Sequence, residues 1–130
     1  MENPFYQKPQ KSMRQPRAKI HAEIQATVRY RALSREEEIR LQTSIGDISE
    51  KGALFITPKE AIPLETEVRA TFRLPGHEND MPTEIVGKTR RTKYLQDGRC
   101  ETGVEFTEVS EISLRSIRSF VSRQELGETI

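Results

Sequence analysis

The sequence predicts an all-β fold: a six-stranded antiparallel β-barrel followed by one C-terminal α-helix. Three observations carry this expectation. Six segments either alternate apolar and polar residues or are rich in β-branched residues, as half-buried strands are. No stretch before residue 110 has helical periodicity, so no crossover helices are at hand to join parallel strands. The segments are separated by polar connections rich in Pro, Gly and Asp. Six short antiparallel strands hide their edges by closing on themselves.

The first strand begins abruptly at Ile20, where Ile20, Ala22, Ile24, Ala26, Val28 and Tyr30 alternate with His21, Glu23, Gln25, Thr27 and Arg29. The segment "RALSREEEIR" is a charged loop or a short helical turn. "IRLQTSIGDIS" alternates less cleanly, and a turn from Asp47 to Gly52 leads into the strand "GALFIT". "TPKEAIPLETE", with two prolines, connects to a strand in which Val68, Ala70, Phe72 and Leu74 alternate with Arg69, Thr71 and Arg73, ending at Pro75 and Gly76. After the polar loop "PGHENDMP", "TEIVGKTRRTKYL" forms a long fifth strand. Asp97 and Gly98 suit a hairpin with positive φ before "RCETGVEFTEV" completes the sheet. Ser110 is placed to cap a helix over "EISLRSIRSFVSRQ", whose Leu114, Ile117, Phe120 and Val121 fall on one face.

A chain of 130 residues is one domain's length, and 34% apolar against 32% charged residues suits a modest core under a polar surface. The formal net charge of +1 hides an asymmetry: residues 1–20 hold Lys8, Lys11, Arg14, Arg17 and Lys19 against Glu2, a +4 segment before a −3 remainder. Such a basic segment suits a small polyanion, a phosphate backbone or an acidic protein face. Residues 1–13 carry two prolines and no periodicity and are expected to be a flexible basic arm; residues 14–126 form the single domain and 127–130 a disordered tail. One cysteine, Cys100, excludes an internal disulfide, and His21 and His77 show no metal-site spacing. With no apolar run near the ~18 residues of a membrane span and no signal-peptide layout, a soluble cytoplasmic protein is expected.

Catalysis would call for a nucleophile beside a base, a carboxylate pair or a phosphate loop, and the sequence has none of these patterns. A binding module is the expectation. Small barrels bind single-stranded nucleic acid through exposed aromatics beside basic residues. Here Phe72, Phe106 and Phe120 continue apolar faces, leaving Phe55 and Tyr94 as exceptions, and Arg90, Arg91 and Lys93 form a cationic stripe without aromatic interleaving. The charge balance of the domain also opposes a polyanion, which makes nucleic acid the weaker reading.

In the turn "GDISEKGALFI", Asp47 and Ser49 can each fold a side-chain oxygen onto nearby backbone N–H groups, and Gly52 is expected to supply a positive φ. Those roles account for a turn. They leave the basic segment unexplained.

Taken together, "MRQPRAKI", a strand ending in "VRY", "DISEKGALFIT", "PLETEVRATFRLPG", "GVEFTEVSE" and a final amphipathic helix resemble the PilZ domain, a bacterial receptor for cyclic di-GMP, over roughly residues 13 to 123. The most specific element is the D/N-x-S-x-x-G motif, matched by Asp47, Ser49 and Gly52. The resemblance implies a second motif, R-x-x-x-R, on the arm before the first strand, whose arginines grip phosphate and guanine of the ligand, usually an intercalated dimer of it. Here Arg17 takes the second place, Met13 stands at the first, and Arg14 lies one residue late. The same spacing at Arg31 and Arg35 and at Arg69 and Arg73 lies past the start of the barrel. The implied ligand set is therefore Arg14, Arg17, Asp47, Ser49 and Gly52, with Lys11 or Lys19 adding field.

What the resemblance implies is a cyclic di-GMP receptor, not an enzyme, whose arm orders on binding and changes the surface offered to an unidentified protein partner. The alternative is a degenerate PilZ domain that does not bind the nucleotide and serves as a protein adaptor, for example in motility or pilus function. Monomer and homodimer are both compatible with the residues.

Overall fold

The computed structural model describes residues 17–31, 37–58, 62–75 and 82–125. They form six strands, β1 (Arg17–Arg31), β2 (Glu38–Ser49), β3 (Gly52–Thr57), β4 (Glu67–Phe72), β5 (Thr83–Tyr94) and β6 (Cys100–Val109), and one helix, α1 (Glu111–Glu125). The sheet closes in the order β1, β2, β3, β6, β5, β4, with β4 returning to β1 and every pair antiparallel. This is the architecture the alternation predicts. No helix among the described residues is long and apolar enough to cross a membrane.

The inward phase of each strand builds one core. Ile24, Ala26, Val28 and Tyr30 of β1 meet Val68, Ala70 and Phe72 of β4, while Ile45 and Ile48 of β2 meet Ala53 and Phe55 of β3. Phe55 is fully buried at the heart of this cluster, so it is a core residue and not the exposed aromatic that a nucleic-acid surface needs. Phe106 is half-buried against the same core. Tyr94, at 72% exposure, is the one aromatic among the described residues that stands in solvent.

Helix α1 lies over β1, β2 and β5. The hydroxyl of Ser110 accepts the Ser113 N–H at 3.1 Å, the N-cap its position predicts. Ile117, Phe120 and Val121 are buried as expected, but Leu114 is only half-buried, and Ser113 and Ser116 take buried places. The reason is polar docking: the Ser113 hydroxyl accepts the backbone N–H of Glu84 on β5 at 3.1 Å, which draws that side of the helix onto the barrel. Replacing Ser110 with alanine is expected to cost about 1 kcal/mol of stability, read as a shift of the urea midpoint with unchanged slope.

The β5–β6 connection is the expected hairpin. Gly98 has φ 90°, its N–H donates to the Leu95 carbonyl at 3.1 Å, and the Leu95 N–H donates to Arg99 O at 2.8 Å. The Arg99 N–H also donates to Asp97 Oδ1 at 3.0 Å. That bond, ahead of the Arg99 guanidinium, holds the Asp97 carboxyl below the usual carboxylate range.

Two features of the strands differ from the plain alternation in the sequence. Strand β1 starts at Arg17, three residues before the alternation at Ile20, because the backbones of Arg17, Ala18 and Lys19 pair with Ser49, Ile48 and Asp47. Backbone pairing needs no apolar side chain, so periodicity does not reveal it. Strand β2 carries a bulge between Ile45 and Asp47, which is why its alternation is ragged. The arm 1–13, the charged segment 32–36, His77 and the tail 127–130 lie outside the described residues.

Candidate functional site

The turn between β2 and β3 owes its shape to the bulge at Gly46. Upstream, Thr43 and Ile45 are buried; downstream, the buried place passes to Ile48, which pairs with Ala53. One inserted residue reverses the phase of a strand. Asp47, which in an unbroken strand would share the inward phase of Thr43 and Ile45, is thereby moved to the opposite phase and stays half-buried.

Ser49 closes the bend. Its hydroxyl accepts the Lys51 N–H at 3.2 Å and donates to the Gly52 carbonyl at 3.4 Å, and it is 3% exposed. The Lys51 carbonyl accepts the Phe106 N–H at 2.8 Å, which ties the bend to β6. Gly52 has no positive φ, contrary to the expectation from the turn. Its requirement is steric: a Cβ there would sit 2.4 Å from the Val104 carbonyl oxygen of β6. Glycine is needed for the close approach of two backbones.

The barrel brings the start of β1 to this turn. Arg17 is paired with Ser49 and Lys19 with Asp47, so Arg17 is a strand residue and not part of a free arm ahead of the strand. Four of the five residues that the resemblance implies, Arg17, Asp47, Ser49 and Gly52, thus lie at one end of β1, β2 and β3. Arg14 and Met13 lie outside the described residues.

Beside Gly52 an open cavity of about 400 Å³ is lined by Ser49, Lys51, Gly52, Arg90, Arg91, Gly103 and Glu105 together with Ala53, Leu54 and Val104. Arg90 and Arg91 both face outward because β5 bulges between Thr89 and Arg91. They are not equivalent. Arg90 donates to Glu105 and to Glu65, each at 2.8 Å, and these hydrogen bonds, Glu105 first, raise its pKa above the ordinary value. Glu65 itself is held at φ 60°, with its N–H on the Thr89 carbonyl at 2.8 Å. Arg91 lies along Gly103, where a Cβ would come within 2.8 Å of its Cγ. The stripe of Arg90, Arg91 and Lys93 read from the sequence is therefore divided: Arg90 and Arg91 both line the cavity, but Arg90 is neutralised by two carboxylates while Arg91 lies along Gly103. Only the β5–β6 register, which sets Arg91 opposite Gly103, distinguishes them.

The turn is also linked to the helix. Arg118 of α1 donates its Nε–H to Glu50 at 2.9 Å, so the bend and α1 share an ion pair. Both side chains are partly solvated, which limits the pair's contribution to stability to about 0–1 kcal/mol.

The site thus combines a closed barrel, a hydrogen-bonded polar turn, the start of β1 beside it and an open cavity lined by Lys51, Arg90 and Arg91. The chain belongs to the PilZ domain family, whose model matches residues 11–123. No curated protein matches the sequence. Among solved structures, the Bacillus subtilis inhibitor of motility MotI/DgrA is similar with a TM-score of 0.68 and 19% identity, over 93% of this chain and 57% of that one. The chain thus spans little more than half of MotI/DgrA. The PilZ domain of YcgR from Escherichia coli, solved with c-di-GMP, is similar with a TM-score of 0.60 and 10% identity, over 90% of this chain and 94% of that one. The K. pneumonia MrkH–c-di-GMP complex is similar with a TM-score of 0.63 and 19% identity, over 87% of this chain and 51% of that one. At these identities the likeness is one of fold.

Proposed function

We propose that the chain is a cytoplasmic cyclic di-GMP receptor that passes the level of this second messenger to a protein partner. The observation that carries the reading is the register of β1 on β2, which sets Arg17 beside Ser49 and Lys19 beside Asp47 in a PilZ barrel. The c-di-GMP complexes of YcgR and MrkH on the same fold support the choice of ligand. In this reading residues 14–126 are the receptor domain, 1–13 its arm and 127–130 a tail.

The chemistry suits the residue types. A guanidinium offers a planar fork to phosphate or to guanine O6 and N7, and it also stacks on a base; Arg17 and Arg14 fill this role. Asp47 accepts from guanine N–H groups. Gly52 lets the backbones of β3 and β6 come close at that end of the barrel, and Ser49 holds the bend through its hydroxyl. Arg91 adds positive charge to the cavity beside them. Ordering of the arm over the barrel then changes the surface that a partner meets.

Isothermal titration of the purified protein with cyclic di-GMP tests this. Saturable binding is expected, weakened roughly ten- to hundredfold in each of Arg14→Ala, Arg17→Ala and Asp47→Ala, the loss of one charge-assisted contact. One observation favours a second reading, a nucleotide-independent adaptor: the Ser49 hydroxyl is already engaged within the bend, as a purely structural turn requires. Absence of binding at high ligand concentration, with a folded protein, would decide for the adaptor.

A further inference from the structure

On the outer face of β2, β1 and β4 three arginines stand side by side. Arg40 is paired with Arg29 across β2 and β1, and Arg29 with Arg69 across β1 and β4. Residues opposite one another in a sheet share a face. Val28, Tyr30, Val68 and Ala70 beside them point into the core, so these three point outward.

Like charges directly opposite destabilise a sheet. Neighbouring pairs on this barrel respect that rule: Arg31 faces Glu38, and Glu67 faces Lys88, which in turn faces Glu105. The arginine row breaks it. Arg40 meets Glu38 only at 4.0 Å, and among the described residues Arg29 and Arg69 form no ion pair. A local rule broken in one place and kept around it marks a place under functional demand.

Arg29 and Arg69 form one wall of an open groove of about 580 Å³, whose other wall carries Glu84 and Glu108. We propose that this row is a docking surface for an acidic protein segment, whose carboxylates pair with Arg29, Arg69 and Arg40. The spacing states what fits. Adjacent strands lie about 4.8 Å apart, close to the ~5–6 Å between Cβ atoms of residues three or four apart on a helix. A helix laid across the strands with acidic residues at i, i+4 and i+7 meets the three guanidinium forks in turn. Nucleic acid fits less well, because a continuous phosphate backbone would run on from the arginines past Glu84 and Glu108, whereas a segment with three carboxylates ends at Arg69.

Arg40 lies seven residues before Asp47 on β2 and Arg29 twelve after Arg17 on β1, so the row sits toward the other end of these strands from the motif turn. It is a partner surface separate from the one that the arm changes in the receptor reading, and it does not depend on nucleotide binding.

Fluorescence anisotropy without cyclic di-GMP tests the proposal. The probes are a labelled alanine-based helical peptide with Glu at i, i+4 and i+7, the same peptide with Lys for Glu, and a single-stranded oligonucleotide. Saturable binding of the acidic peptide alone is expected, weakened at least tenfold in the Arg29→Gln/Arg69→Gln variant. The thermal midpoint of that variant should be unchanged or raised, because an unfavourable opposition has been removed. Equal or tighter binding of the oligonucleotide would assign the row to nucleic acid and overturn the proposal. So would absence of acidic-peptide binding, binding unchanged in the variant, or a lowered midpoint that makes the arginines structural. Any of these leaves the receptor reading to its own titration, which uses other residues.

Discussion

Phe55→Ala is expected to destabilise the barrel by about 3–5 kcal/mol, a loss on the order of 10–20 °C in thermal midpoint. Phe55 is fully buried on β3, with Ile45 as its partner on β2 and Thr102 on β6. Truncating it removes the transfer free energy of the ring and leaves a void that strands held on both sides cannot close. Domains of this kind have only about 5–15 kcal/mol in total. Urea denaturation gives the measurement, with Phe55→Leu as a milder control that retains most of the volume. A loss below about 1 kcal/mol for the alanine variant would mean that β3 is not the packed wall described above.

Gly52→Ala carries the second large effect, for a different reason. The added methyl would lie 2.4 Å from the Val104 carbonyl oxygen, and that atom is backbone in a paired strand, so it cannot swing aside. Relieving the clash means separating β3 from β6 at the motif end, at a cost of about 1–3 kcal/mol. Gly103→Ala is the informative comparison. There the nearest atoms belong to the Arg91 side chain, whose Cγ would be 2.8 Å away and which can rotate out. Its expected cost is less than half that of Gly52→Ala, although the two glycines lie on adjoining strands. Both changes are read by denaturation in the absence of nucleotide. Equal costs would show that contact with the β6 backbone is not what requires glycine at residue 52.

Much of the barrel is legible in the sequence because a strand with one face in a core must place an apolar residue at every second position. Val28 and Tyr30, Val68 and Ala70, and the helix residues Ile117, Phe120 and Val121 all follow from that demand. The Ser110 cap and the Gly98 hairpin follow as well, because each needs one residue type at one place in the chain. Gly52 was legible as a necessary glycine but not in its cause. A positive φ is a local property, whereas the approach of Val104 comes from a strand about fifty residues away.

Leu114 and Ser113 make the same point from the helix. Periodicity ranks side chains by apolarity and favours Leu114, but the N–H of Glu84 on the neighbouring strand needed an acceptor, and Ser113 supplies it.

The sequence by itself determined the all-β class, the number of strands, the helix with its cap, and the residue types of the turn from Asp47 to Gly52. Alternation, capping and turn chemistry act over a few neighbouring residues and leave their mark along the chain. The tertiary structure alone decided which distant residues became neighbours: Arg17 beside Ser49, Arg91 over Gly103, and Arg29 between two other arginines. Those pairings rest on strand order, bulges and register, and a shift of one residue turns every side chain to the other face without altering the composition of any strand.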